Sequence, residues 1–217
     1  MPEPIQVKID RITLEGLLTV PEKAQGVVLF AHGSGSGRLS PRNNFVATVL
    51  NQAGLATLLI DLLSEEEDAV YKNRFDIGRL TERLITIIQW MKKEPRTEKL
   101  PLGLFGASTG AAAALYVAVR LGKEAKAVVS RGGRPDLALD VLPQVVSPTL
   151  LIVGGDDTDV IALNEQAYAA LRSVKRLSIV PGATHLFEEP GCLEEVAKQS
   201  QAWFTQHLTS ETRAAHS

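Results

Sequence analysis

The chain predicts an α/β fold with a mostly parallel, doubly wound sheet. Short apolar runs such as Val27-Val28-Leu29-Phe30, Leu102-Gly103-Leu104-Phe105 and Leu150-Leu151-Ile152-Val153 each end in a glycine-rich turn. Segments with helical spacing separate them, and strands that alternate with helices form parallel sheets through right-handed crossovers. At 217 residues, 45% of them hydrophobic, the chain is long enough for one full core. One domain is expected over residues 1–208, with a frayed tail over 209–217.

The elements follow in order. Ile5 to Val20 alternates weakly and reads as an N-terminal antiparallel hairpin. Ser40-Pro41 is a helix start, with serine at the N-cap and proline at the first helical position. Phe45, Val46, Val49 and Leu50 are expected to line one face of that helix. Leu55 to Ile60 is the next buried strand. Ile77, Leu80, Leu84, Ile87, Ile88 and Met91 recur every three or four residues, which marks a long amphipathic helix. Ala111 to Val119 reads as a buried helix and Leu193 to Leu208 as the last one. The run Glu65-Glu66-Glu67-Asp68 is expected to be a solvated loop.

The chemistry centres on Gly106-Ala107-Ser108-Thr109-Gly110, a GxSxG motif between a strand and a helix. A serine on such a sharp turn needs small neighbours two residues away on either side, and Gly106 and Gly110 meet that need. The Ser108 hydroxyl would then project from the C-terminal edge of the sheet, where the following helix's N-terminus favours developing negative charge. A serine hydroxyl is a weak nucleophile, so a base must take its proton and an acid must orient that base. His185 follows the apolar run Leu177 to Val180; His207 and His216 fall in a C-terminal amphipathic stretch and a polar tail. Asp156, Asp157 and Asp159 all follow the Leu150 to Val153 run. For the oxyanion, the main-chain N–H groups of Thr109 and Ser34 are the candidates, Ser34 lying in the loop His32-Gly33-Ser34-Gly35-Ser36-Gly37. That loop lacks both the lysine of a P-loop and the spacing of a dinucleotide site. His32 is expected to shape it without taking part in chemistry.

These stretches, with RFDIGRL, SRGGRPDLA and PGATHLFEEPG, resemble the α/β-hydrolase superfamily, in its compact dienelactone-hydrolase-like branch, from about Val27 to Leu208. The resemblance implies a three-layer fold, the triad order serine, acid, histidine, and Asp157 as the acid. Dienelactone hydrolases typically use a cysteine nucleophile; Ser108 departs from that and favours ordinary ester or thioester chemistry. Similar sequences sometimes carry a phosphoribosyltransferase domain as well, and none is expected in these residues. The stretch from Ala127 to Pro148 has room for one helix but not for the helical cap of many lipases, so an open, shallow site is expected.

Two alternatives stand beside a serine hydrolase acting on a small ester or thioester. One is a catalytically silent binding module. The other is an acyl transferase or perhydrolase on the same triad. No cofactor and no metal are expected, and a small-molecule ester is the expected partner. A net charge of −2 gives no reason to expect nucleic acid or a membrane. A single cysteine, Cys192, and no signal-peptide pattern suggest the cytoplasm. Arg38 and Arg42 flank the glycine-rich loop, while Arg131 and Arg134 follow the strand beside the motif. Ion pairing is the plain expectation for such a group; recognition of a substrate carboxylate by Arg131 is the sharper one.

Overall fold

The computed structural model describes residues 1–209; of the expected tail, residues 210–217 lie outside the described residues. Eight strands form one sheet in the order β1-β2-β4-β3-β5-β6-β7-β8. β1 (Glu3–Ile9) and β2 (Ile12–Thr19) form the N-terminal hairpin, and β2 continues antiparallel onto β4 (Ala56–Ile60). From there the sheet is parallel through β3 (Val27–Ala31), β5 (Leu102–Ala107), β6 (Ala125–Arg131), β7 (Thr149–Gly154) and β8 (Lys175–Val180). Every residue of β3, β4, β5 and β7 is buried, which is why these strands read as continuous apolar runs without alternation.

α1 (Pro41–Gln52) and α6 (Cys192–Leu208) cover one face; α3 (Ile77–Met91), α4 (Thr109–Leu121) and α5 (Thr158–Ala170) cover the other. The three layers follow from two apolar clusters divided by the sheet. In β6, for example, Val128 faces α3 and α4, while Ala127 and Val129 face α1 and α6. Phe30 and Phe105 meet on the α1 and α6 face, ring centroids 4.7 Å apart. β3 is followed by a crossover to β4 on one side, and β4 by a crossover to β5 on the other. The ends of β3 and β5 therefore border a switch-point crevice, the usual place for a ligand in such sheets.

Three expectations change. In α1 the buried residues are Asn43, Val46, Ala47 and Leu50, whereas Phe45 is exposed; the buried stripe is rotated toward the polar Asn43. The acidic run is a short helix, α2 (Glu65–Asp68), closed by a capping box between Ser64 and Glu67. Acidic side chains suit a helix N-terminus, and Glu67 also accepts from Arg83 Nη2 at 2.6 Å. Between β6 and β7 there is no α-helix, only 3-10 turns at Pro135–Ala138 and Leu142–Gln144. Among the described residues no helix is long and apolar enough to cross a membrane.

Candidate active site

Ser108 joins β5 directly to α4 and adopts φ 50°, ψ −124°. For a residue with a Cβ this region is costly, about 1–3 kcal/mol, and persists only where the surroundings dictate it. Here they do. A Cβ on Gly110 would stand 2.2 Å from the Ala31 carbonyl oxygen, and one on Gly106 would stand 2.4 Å from the Ala111 Cα. α4 therefore presses against β3 and β5, and the chain between has one residue in which to turn. The Ser108 N–H donates to the Arg131 carbonyl at 3.3 Å, and the Ser108 carbonyl accepts from the Arg134 N–H at 3.0 Å. Both ends of the elbow are tied to the last residue of β6 and the segment that follows it.

His185 and Asp157 arrive from the neighbouring strand ends. His185 Nδ1 lies 2.6 Å from Asp157 Oδ2. An ionised carboxylate only accepts, so Nδ1 carries the proton and Nε2 is the basic nitrogen. Asp157 is the N-cap residue of α5, and its carboxylate is mostly shielded while the imidazole is partly exposed. Asp156 turns the other way: its side chain is exposed and its N–H donates to the Ala183 carbonyl. Asp159 is likewise exposed. His185 reaches over Gly132, where a Cβ would stand 3.5 Å from His185 Cε1. Gly132 follows Arg131, whose carbonyl holds the Ser108 N–H, so serine, imidazole and carboxylate share one sheet edge.

The glycine-rich loop closes the other side. A Cβ on Gly33 would stand 2.9 Å from Ser108 Cβ, so Ser34 follows the point where the loop touches the elbow. Thr109 is buried in the first turn of α4. His32 is a rivet in this loop. Its Nδ1–H donates to the Gly33 carbonyl at 2.9 Å and its Nε2 accepts the Leu62 N–H at 2.9 Å. Burial lowers its pKa and keeps the ring neutral. The recess between this loop, Leu63 and Arg74 is only about 10 Å³. A polar cleft of about 590 Å³ is lined by His32 and Ser36 of the loop and by Arg38 beyond it, but by none of Ser108, Asp157 and His185.

The arginines divide. Arg38 pairs with Asp61 and Glu15, Arg42 with Glu188 at 2.8 Å, and Arg134 with Asp136 at 2.8 Å. Arg131 has no carboxylate partner among the described residues; its guanidinium is turned under α1, where Nη2 donates to Asn43 Oδ1 at 3.2 Å. Sequence reasoning passed over two supports. Glu189 accepts from the Thr184 N–H at 3.1 Å and from the Thr184 hydroxyl at 2.5 Å, which fixes the loop before His185 and holds the Glu189 carboxyl below its usual range. Phe187 is fully buried at φ 57° and anchors the loop after it. No local pattern marks Phe187, since its neighbours Leu186 and Glu188 are one apolar and one acidic residue.

A parallel sheet with a strained serine between β5 and the next helix, and a paired histidine and aspartate after β8 and β7, defines an α/β-hydrolase. Residues 14–209 match the model of the dienelactone hydrolase family, and the chain belongs to that family. It is 53% identical to a dienelactone hydrolase from Anabaena variabilis, with a TM-score of 0.92 over 96% of this chain and 98% of that one. A cold-adapted esterase from an Arctic intertidal metagenomic library has the same fold, with a TM-score of 0.77 at 18% identity over 95% of this chain and 94% of that one. A Mycobacterium tuberculosis protein provisionally named a phosphoribosyl transferase is 56% identical over 95% of this chain. The match spans 46% of that protein's length, so the chain covers about half of this curated relative.

Proposed function

We propose that the protein is a serine hydrolase that cleaves a small carboxylic ester or thioester through an acyl-enzyme. The observation that carries this reading is the 2.6 Å bond from His185 Nδ1 to Asp157, at the same edge as the strained Ser108. Ser108 Oγ attacks the acyl carbonyl carbon while His185 Nε2 takes the hydroxyl proton. Asp157 keeps the proton on Nδ1 and stabilises the imidazolium. The main-chain N–H groups of Ser34 and Thr109 receive the oxyanion, aided by the N-terminus of α4. The tetrahedral adduct collapses, the carbon–oxygen or carbon–sulfur bond breaks, and His185 returns the proton to the departing alcohol or thiol. Water then repeats the sequence and releases the acid.

Ser108 stands where dienelactone hydrolases typically carry a cysteine, and that departure supports ordinary ester or thioester chemistry over a dienelactone substrate. The match leaves more than half of the mycobacterial relative uncovered, so its transferase name is not carried over to this chain. This chain carries no phosphate-cradling motif of the lysine-containing kind.

The test is a series of p-nitrophenyl esters and acyl thioesters of graded length, assayed with the wild type and Ser108→Ala. Turnover of short acyl groups should fall about 10⁴-fold or more in the variant. A folded wild type that hydrolyses none of them would leave a silent binding module. Capture of the acyl group by added alcohol or peroxide in preference to water would mark a transferase or perhydrolase.

A further inference from the structure

Among the described residues, two guanidinium groups next to the end of β6 share one counterion. Arg131 is 7% exposed. Its Nη2 donates to Asn43 Oδ1, its guanidinium carbon lies 6.0 Å from the Phe187 ring centroid, and its Nε is shielded from solvent and donates to no atom. Arg42 stands near enough to oppose its charge, and burial and that repulsion lower the Arg131 pKa to about 10, so the group is still cationic at neutral pH. Arg42 has one partner, Glu188, whose side chain is 62% exposed, and its own Nε is also buried without an acceptor. Asn43 and Phe187 contribute no charge. Two cations thus share a single surface carboxylate, and a buried cation without an anion is unfavourable.

We propose that Arg131, Arg42 and Asn43 form a subsite for one compact oxyanion, a carboxylate or a phosphate. Arg131 pairs across the sheet with Ala107 and its carbonyl accepts the Ser108 N–H, so the subsite is built on the strand end that adjoins the elbow. The planar fork of a guanidinium matches two oxygens of such a group, and a second guanidinium neutralises the remaining charge. Glu188 occupies Arg42 when no anion is bound; an exposed ion pair of this kind is weak and yields readily. The anion is either carried at the far end of the ester or free in solution. The first form rests on the proposed hydrolase reading and makes the site selective for anionic esters; the second stands without it.

The test uses the Ser108→Ala protein, in which turnover is removed, titrated calorimetrically at low salt. The probes are monomethyl succinate, dimethyl succinate and inorganic phosphate. Monomethyl succinate should bind about 10-fold or more tightly than its neutral diester, as one charge-assisted contact implies. Arg131→Gln and Arg42→Gln should each reduce that preference, and Arg131→Lys, which keeps the charge without the fork, should restore it only in part. Phosphate that binds and competes with monomethyl succinate would identify the free anion as a ligand; phosphate that does not bind would assign the site to an anion carried on the ester. Equal affinity for the two succinates together with no phosphate binding would overturn the subsite, and that comparison needs no change at either arginine. A preference that survives both glutamine variants would overturn it as well. Turnover by the wild type is scored separately. Selective binding without hydrolysis of either ester contradicts the hydrolase reading alone, and hydrolysis without selective binding contradicts the subsite alone.

Discussion

Asp156 and Asp157 both follow β7 by a few residues and differ in direction: the Asp157 carboxylate meets His185, while the Asp156 side chain faces solvent. Asp157→Asn should lower turnover about 10⁴-fold by leaving the imidazole in the wrong tautomer, and Asp156→Asn should lower it far less. Steady-state kinetics on one short ester checks this, and a reversed order would exchange the two roles. Spacing alone did not separate the two aspartates, whereas Ser108 was legible because its role demands small neighbours at two fixed positions, and both are glycine. His32 provides a second residue-level test through pH. Its folded pKa lies below its ordinary value because burial disfavours the cation. The unfolded chain therefore binds the extra proton first, so stability is intact above the unfolded pKa of about 6.5 and is lost as pH falls below it. Urea unfolding between pH 7 and 5 should show a steeper loss in the wild type than in His32→Gln, by up to about 1.4 kcal/mol per pH unit. Parallel pH profiles would remove His32 as the titrating group.

At the level of elements, legibility followed the strength of the pattern. α3 begins at Ile77 and ends at Met91, the first and last residues of its apolar repeat, because six apolar side chains on one face leave little choice of register. α2 was hidden because four consecutive acidic residues carry no periodicity; only Ser64 and Glu67 at capping-box spacing pointed to it. The inward turn of Arg131 was readable in hindsight: Ala127, Val129 and Arg131 lie on the same face of β6, two residues apart. The elbow itself depends on the approach of α4 to β3. Gly110→Ala forces a Cβ to within 2.2 Å of a backbone oxygen, which neither side chain nor solvent can relieve. It should destabilise the protein by about 3 kcal/mol or more. Gly78→Ala is the control, since its Cβ would meet only Asp76 Oδ1 at 3.5 Å, near the start of α3. That change should be stabilising by roughly 0.5 kcal/mol. Denaturant midpoints of the two variants should move in opposite directions; a shift of the same sign would mean that helix propensity, not contact with β3, governs position 110.

The whole molecule gathers residues that lie far apart in the chain at one sheet edge. β5, β6, β7 and β8 run parallel, with one register shift at Leu102/Gly103, so the residues beyond their C-terminal ends gather at one edge: Ser108, Gly132, Asp157 and His185. This convergence was legible from the alternation of apolar runs and helices. The arrangement of the loops was not, because ion pairs such as Arg42 with Glu188 join segments 146 residues apart, and no local pattern encodes them. The proposed reaction requires this edge to make Ser108 a nucleophile. Its most direct test is incubation of the folded protein with a fluorophosphonate, followed by intact mass and peptide mapping. One phosphonyl adduct is expected, on Ser108, absent from a folded Ser108→Ala protein and formed far more slowly in His185→Ala. An adduct that persists in Ser108→Ala, or a folded wild type that takes up none, would contradict it.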